Sequence, residues 1–325
     1  MNHNKGILII IEVKDGTPSS SAAELMGAAQ AIDTGSNEGI DILLIGSNVQ
    51  SAATILGSLG ATKVFTAEAG AIMDDTAATI VTRLASDVNP RFILMVENDL
   101  GRDLAPLLAA RLQTAAVTDI VAVRADGDEI VFTRPVYGGN ALADFIIETG
   151  PGIASIRPKA FSPATVNENR QAEIIELQPA DSTTAIRVLE QIKIKEEGPR
   201  LEDAKVVVGG GRGLGGPEGF TQLKELADLL GGGVGASRPP CDQGWWPESG
   251  QIGITGKVIA PELYIAVGIS GSSQHLSGVS GTKTLVAINK DAEANIFKAA
   301  AYGVTGDWKK VLPALIGKVK EMTGK

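Results

Sequence analysis

Crosslinks, metal sites and stacking platforms have little to be built from in this chain. Its 325 residues include one cysteine, two histidines and only 4 % aromatics. Cys241 alone excludes an internal disulfide framework. With His3 and His275 as the only histidines, a zinc site has too few ligands. Basic clusters are absent too: the net charge is −9, the sequence pI is near 4.9, and no Lys/Arg stripe appears, which argues against a nucleic-acid partner. No apolar run approaches the roughly 20 residues of a spanning helix. The run Gly6 to Val13 is too short for a signal h-region and reads as a first strand, so a soluble, cytoplasmic protein is expected.

What is present is aliphatic. Apolar residues make up 44 %, enough for substantial cores, and the length suits two domains of ordinary size. The first half alternates strand-like runs (Gly6 to Val13, Ile40 to Gly46, Lys63 to Thr66, Arg91 to Glu97) with stretches of helical spacing (Ser21 to Ile32, Ser51 to Gly60, Arg102 to Leu112). Repetition of strand, helix and strand predicts a mostly parallel, doubly wound α/β sheet. Ile120 to Arg124 and Glu129 to Arg134 flank Asp126-Gly127-Asp128, a hairpin signal, and Ile153 to Ala160 and Ala172 to Leu177 are again strand-like. Residues 190 to 204 are charged, carry Gly198-Pro199 and have little apolar content, as a linker does. The expected domains are therefore 1–195 and 196–325.

Glycine is concentrated beyond that boundary: residues 201–325 hold 23 of the 39. Lys205 to Val208 reads as a short buried strand, Glu218 to Leu230 as a helix stopped by Gly231-Gly232-Gly233, and Trp308 to Thr323 as an amphipathic helix. Between them, Pro261 to Val267 forms a buried strand broken by Gly268, Ser270 and Gly271. Glycines at a strand end let backbone N–H groups approach a ligand, and a following helix favours phosphate. Thr284 to Ile288 is a further strand ending on Asn289, where ligand groups gather in open α/β sheets. A nucleotide site is the reading.

Gly211-x-Gly213-x-x-Gly216 matches a dinucleotide fingerprint, but Ala236, Ser237 and Arg238 stand where an NAD site wants an acid, so the motif is equally consistent with a bare turn or with NADP. Arg238 is followed by two prolines and suits either a phosphate, an aromatic ring or a surface pair with Asp242. Ser270 and His275 do not make a hydrolase, because Ser272 occupies the last glycine position of a nucleophile elbow. Asp307 is placed to cap the final helix, and Cys241 is either an idle buried thiol or one activated by Arg238.

Five ordered motifs resemble the α subunit of electron-transfer flavoproteins. They are Gly210-Gly211-Arg212-Gly213-Leu214; Gly235-Ala236-Ser237-Arg238 with Asp242; Gly253-Ile254-Thr255-Gly256-Lys257 followed by Ala260 to Tyr264; Gly268-Ile269-Ser270-Gly271 with Gln274-His275; and Ala287-Ile288-Asn289 with Tyr302-Gly303 and Asp307. Weaker matches run through the first half, at Arg102 to Pro106, Tyr137 to Ala141 and Ile156 to Phe161. The resemblance implies a Rossmann-like C-terminal domain holding FAD, an N-terminal nucleotide-hydrolase-like domain contacting a β subunit, and an electron carrier in a heterodimer with no substrate turnover of its own. It implies electrons taken from flavin-dependent dehydrogenases of the acyl-CoA type, as in fatty acid β-oxidation, and passed to an acceptor such as a membrane-associated quinone oxidoreductase. A bifurcating form, using NADH and a second FAD in the β subunit, stays open, as do an NADP-dependent oxidoreductase and a flavin-free nucleotide sensor.

Carried over by position, Arg238 would lie over the flavin ring, Thr255 would hydrogen-bond its N5, and His275 would sit by the C2 carbonyl and stabilise negative charge. Arg212, Ser237, Ser270, Gly271 and Gln274 would hold ribityl and pyrophosphate, with Asn289 and Asp307 toward the adenosine. Ile252, Gly253, Ile254, Ser272, Ser273 and Trp308 are further cofactor-binding positions that the resemblance implies. Two positions depart from the family pattern: Ile254, where many members have Gln, and Asn295, where many have Pro before Ile-Phe.

Overall fold

The computed structural model describes residues 6–33, 39–69, 74–139, 141–167, 170–178 and 200–324. The chain divides into two compact units, residues 1–136 with 142–192 and residues 137–141 with 193–325. Most of the charged segment 190–204, and the expected boundary at 195/196, fall outside the described residues.

The first unit alternates strands and helices: β1 (Ile7–Lys14), β2 (Thr17–Pro18), α1 (Ala22–Ile32), β3 (Ile40–Gly46), α2 (Val49–Gly57), β4 (Lys63–Glu68), α3 (Asp74–Val88), β5 (Phe92–Val96) and α4 (Asp99–Leu112). Six further strands follow: β6 (Ala116–Ile120), β7 (Ala122–Asp126), β8 (Glu129–Val136), β9 (Ala141–Ile146), β10 (Gly152–Ile156) and β11 (Glu173–Glu176). The main sheet runs β11-β4-β3-β1-β5-β10-β6, parallel throughout, with β2 paired antiparallel on β1. Its central strands β1, β3 and β5 are apolar on both faces, as a sheet covered on both sides requires. Ile7, Ile9 and Ile11 pack with α1 and α2, whereas Leu8 and Ile10 pack with α3 and α4. This is the doubly wound arrangement expected.

Three sequence expectations shift. The run from Ile120 to Arg124 is split, because the chain leaves the main sheet at Val121, whose N–H bonds Thr133 instead, and β7 joins β8 and β9 in a separate three-stranded sheet. The strand from Ile153 ends at Ile156, where Arg157 turns back to pair with Asp119 at 2.6 Å and Lys159 takes a φ of +63°. The helix expected from Arg102 begins at Asp99, because Asn98 Oδ1 accepts from the Gly101 N–H at 2.9 Å and caps it.

The second unit is an all-parallel five-stranded sheet. Its elements are β12 (Val206–Gly210), α5 (Gly219–Leu230), β13 (Gly233–Ala236), α6 (Arg238–Asp242), β14 (Leu263–Val267), α7 (Ser273–Ser277), β15 (Thr284–Asn289), α8 (Ile296–Ala299), β16 (Tyr302–Thr305) and α9 (Trp308–Thr323). The order is β13-β12-β14-β15-β16. Alternate residues of β14 serve opposite cores: Tyr264 and Ala266 join Ile252, Ile259 and Ile296, while Ile265 and Val267 join α5 and α9 through Leu223, Leu226, Leu312 and Ile316. Because β12 leads to β13 on one side and the chain then returns to β14 on the other, winding reverses between β12 and β14. Crevices at such reversals, beyond the carboxyl ends of the strands, are where open α/β sheets hold ligands. Among the described residues no helix is long and apolar enough to cross a membrane.

Candidate functional site

A cleft of about 650 Å³ opens at that reversal, within the range of cofactor sites. The turns after β12 and β14 meet there. Gly211 N–H bonds Val267 O and Gly213 N–H bonds Gly268 O, both at 2.9 Å. A Cβ on Gly211 would stand 2.2 Å from Gly268 O. Gly211 and Gly213 of the apparent dinucleotide fingerprint thus serve this turn-on-turn approach, whereas a Cβ on Gly216 would meet only the Glu218 side chain. A short 3₁₀ turn, Arg212–Leu214, and Pro217-Glu218 separate them from α5, so the fingerprint's direct passage from turn to helix is missing.

The Arg238 wall starts from Ser237, whose N–H bonds Gly210 O at 2.9 Å. Arg238 begins the one-turn helix α6, and its two prolines fit there because the first helical turn needs no N–H donors. Its guanidinium meets Asp242 at 3.3 Å, the surface pair that the sequence allows. Arg238 is 66 % exposed, so this pair is weak and exchanges readily for a ligand. Cys241 behind it is buried, with its thiol pushed up to about 11 by burial and then by Asp242 and Glu248. The structure therefore sides with the idle thiol.

The opposite wall is the tight loop Gln251 to Lys257, closed by Lys257 N–H on Gln251 O at 2.8 Å. It is docked on α7 by Ile254 N–H to Gln274 O, and just beyond the loop Ile259 N–H bonds the O of Gly278, which caps that helix. Ile252, Gly253, Ile254 and Thr255 all line the cleft, Ile254 with 48 % of its surface exposed. Gln251 also lines it, and its Nε2 donates to Thr255 Oγ1 at 3.1 Å, which leaves the threonine proton to be donated elsewhere.

Ser270, Ser272, Gln274 and His275 complete the cleft. Ser272 Oγ caps α7. His275 is 4 % exposed: Nδ1 lies 3.1 Å from Ile252 O and Nε2 lies 3.0 Å from the Tyr264 hydroxyl. Burial lowers its pKa to about 4, opposed by the Ile252 carbonyl. Asn289 lines the same cleft, yet its side chain is occupied in the fold, Nδ2 donating to Ile269 O and Oδ1 accepting from Asp291 N–H. Asp307 and Trp308 line an adjoining recess of about 250 Å³ that shares Gly213, Gly268, Asn289 and Lys290 with the cleft. Asp307 caps α9 by accepting from Lys309 N–H at 3.0 Å.

Two expected residues stand off the cleft. Gly271 has a φ of +80°, and a Cβ there would be 2.2 Å from Ile296 N, so its glycine is needed for packing against α8. Ser273 lies outside the cleft lining, beside Gly138 of the segment 137–141. Conversely, Gln251, Lys290 and Asp291 line the cleft without having been singled out. Each flanks a motif, which is the signal that could have found them.

The donor set fits an extended anionic cofactor with a polar heteroaromatic ring. Two arginines, the hydroxyls of Ser237, Thr255, Ser270 and Ser272, and the amides of Gln251 and Gln274 converge on one cleft that continues into the second recess. This is the polar-on-apolar lining of a cofactor site.

Residues 200–280 match the family model described as the electron transfer flavoprotein FAD-binding domain, and residues 7–182 match the electron transfer flavoprotein domain. The chain is 42 % identical to the electron transfer flavoprotein subunit alpha of Bacillus subtilis, with 98 % of each chain covered. It is 38 % identical to that of Thermoanaerobacterium thermosaccharolyticum, covering 99 % of this chain and 100 % of the other. With the mitochondrial subunit alpha of Arabidopsis thaliana the identity is 35 %, over 97 % and 89 %.

Proposed function

The chain belongs to the electron transfer flavoprotein family, and from that membership we propose that it is the α chain of a heterodimer that holds FAD in the β12–β14 cleft and relays electrons, turning over no substrate of its own. The observation that carries the reading is the convergence of Arg212, Arg238, Thr255 and Gln274 on one cleft at the sheet's winding reversal. When bound, FAD supplies a ring that accepts and gives up electrons; the protein supplies orientation and electrostatics.

Arg238 is the cation at hand for the ring or a phosphate, released from Asp242 at small cost. Thr255 offers the ring a hydroxyl proton, because Gln251 already occupies its oxygen as a donor. Arg212, Ser237, Ser270 and Gln274 suit the pyrophosphate and ribityl stretch, and the recess by Asp307 and Trp308 suits the adenosine end. Asn289 serves that end by fixing the Ile269 carbonyl and the Asp291 turn rather than through a spare side-chain group. Exposed Leu142, Phe145 and Ile146 on β9, an edge strand, give the β subunit an apolar surface on the first unit. We infer electron donors of the flavin dehydrogenase class and an acceptor such as a membrane-associated quinone oxidoreductase.

Competitive binding tests the ligand assignment. The flavin-stripped heterodimer should bind FAD saturably and retain it through gel filtration, with NADPH and AMP failing to displace it at equal concentration. Saturable NADPH binding with FAD ineffective would replace this reading with a nicotinamide enzyme, and AMP binding alone would replace it with a sensor.

A further inference from the structure

Behind the cleft, an ion pair reaches the loop that carries Thr255. Ile254 and Thr255 at the tip of that loop are exposed, so burial does little to hold them. The base of the loop is held instead. Lys257 N–H bonds Gln251 O at 2.8 Å and Gly253 N–H bonds Lys257 O at 3.2 Å, so Lys257 closes the loop through its backbone. Its side chain stays out of the cleft lining and meets Glu202, Nζ to Oε2 at 3.2 Å, with 20 % and 32 % of the two side chains exposed. Among the described residues, the other ion pairs of this unit leave 42 % or more of each side chain exposed. Glu202 comes from the turn 200–204, which the sequence reads as the end of a linker. Leu201 and Ala204 of that turn are instead buried in one core with Ile252 and Ile259. Leu201 and Ile252 meet over Gly235, where a Cβ would stand 2.3 Å from Ile252 Cδ1 and 3.2 Å from Leu201 Cδ1. Turn and loop base are thus joined by an apolar contact and by the ion pair.

We propose that Glu202 is a positioning residue for the cofactor site: through Lys257 it braces the loop 251–257 and so holds the Thr255 hydroxyl in its place in the cleft wall. The route is short. Gln251 accepts the Lys257 N–H on its carbonyl, and its Nε2 donates to Thr255 Oγ1 at 3.1 Å. Without the carboxylate, the Lys257 ammonium turns toward water, the loop base loosens, and the hydroxyl is held less closely to the geometry that a ligand needs. A field effect has the opposite sign. Removing a negative charge near an anionic cofactor tightens its binding by electrostatics alone, whereas removing a brace weakens it. The brace stands on the fold alone; its meaning for FAD rests on the function proposed above.

Glu202→Gln tests this, since it keeps the shape of the side chain and removes its charge. Asp203→Asn is the matched control: it removes the same charge one residue along, from an exposed carboxylate whose Arg200 partner is 4.0 Å away. Hydrogen exchange of residues 251–257 in the flavin-free heterodimer reads the loop without the cofactor, and flavin fluorescence reads FAD affinity. In Glu202→Gln the loop amides should exchange faster than in wild type, and FAD affinity should fall about fivefold, the reach of a half-buried ion pair. Asp203→Asn should change neither. In a Thr255→Ala background Glu202→Gln should cost less than about 1.5-fold further, because the group that the brace positions is gone. Unchanged exchange in Glu202→Gln overturns the proposal. So does unchanged or tightened FAD binding, and so does a loss that repeats in full beside Thr255→Ala. If Glu202→Gln does not fold, Glu202→Asp, which keeps the charge but shortens its reach, is read by the same criteria. A heterodimer that takes up no FAD in any form, while the loop still exchanges faster in Glu202→Gln, would count against the proposed function and leave the brace in place.

Discussion

Replacing Gly271 by alanine tests whether the cleft is braced from behind. The residue has a φ of +80°, which costs an L-residue about 1 kcal/mol. Its new Cβ would stand 2.2 Å from Ile296 N and 2.6 Å from Ile296 Cα, contacts relieved only by moving backbone. Such overpacking costs about 1–3 kcal/mol. The movement also breaks the 3.0 Å bond from Ile296 N–H to Ser270 O, worth about 1 kcal/mol. The total is about 3–5 kcal/mol. Gly231→Ala is the matched control, since Gly231 also has a positive φ, +65°, but a Cβ there meets nothing within 4 Å; it should cost about 1 kcal/mol. For a unit of this size the difference amounts to roughly 10 °C in melting temperature. Because Ser270 and Ala294 line the cleft on either side of the contact, FAD affinity should fall more than about tenfold in Gly271→Ala and stay unchanged in Gly231→Ala. Thermal melts by circular dichroism and FAD titration read both. Equal melting temperatures for the two variants would refute the packing argument.

Further outcomes follow from the site. Arg238→Ala should barely alter the melting temperature, as its pair with Asp242 is exposed, yet should weaken FAD binding about tenfold through a lost cation contact, read by flavin fluorescence. Ile254→Gln, at an exposed cleft position, should tighten FAD by about 2- to 10-fold if one new hydrogen bond forms, measured by the same titration. Cys241 should resist Ellman's reagent at pH 8 in the folded protein and react in denaturant, since a thiol near 11 is about one part in a thousand thiolate there. His275 has a lowered folded pKa, so the unfolded chain binds more protons between about 6.5 and 4. Stability should therefore fall as pH drops through that window by about 3 kcal/mol, a slope that chemical denaturation should find missing in His275→Gln.

The fold was legible wherever one periodicity ran undisturbed. β3 and α9 stand where the sequence put them, because Ile40 to Gly46 is almost wholly apolar and the α9 stripe repeats every three to four residues. Helix α3 is poorly legible although Ala77, Val81 and Leu84 sit at helical spacing, since the threonines and aspartates around them dilute the apolar stripe. Strand β16 is short, glycine-containing and exposed along its length, so only its pairing with β15 defines it. The pairing of β11 with β4 is likewise set by tertiary contact, not by local pattern.

In the cleft, Arg238 and Ser270 are legible because loops at strand ends advertise ligand chemistry, whereas Thr255 and Gln274 come only with the family resemblance. Sequence did not separate glycines that border the cleft from those demanded by packing, as Gly271 shows, because both leave the same letter. Nor did it join Tyr264 to His275. Tyr264 reads as one more apolar position of a buried strand, and the hydrogen bond depends on Gly209, a residue of another strand.

The central claim is tested most directly by the visible spectrum of this chain purified with its β subunit, before and after dithionite. An oxidised flavin spectrum that bleaches on reduction and returns in air is the predicted result. A colourless heterodimer that takes up no added FAD would contradict it.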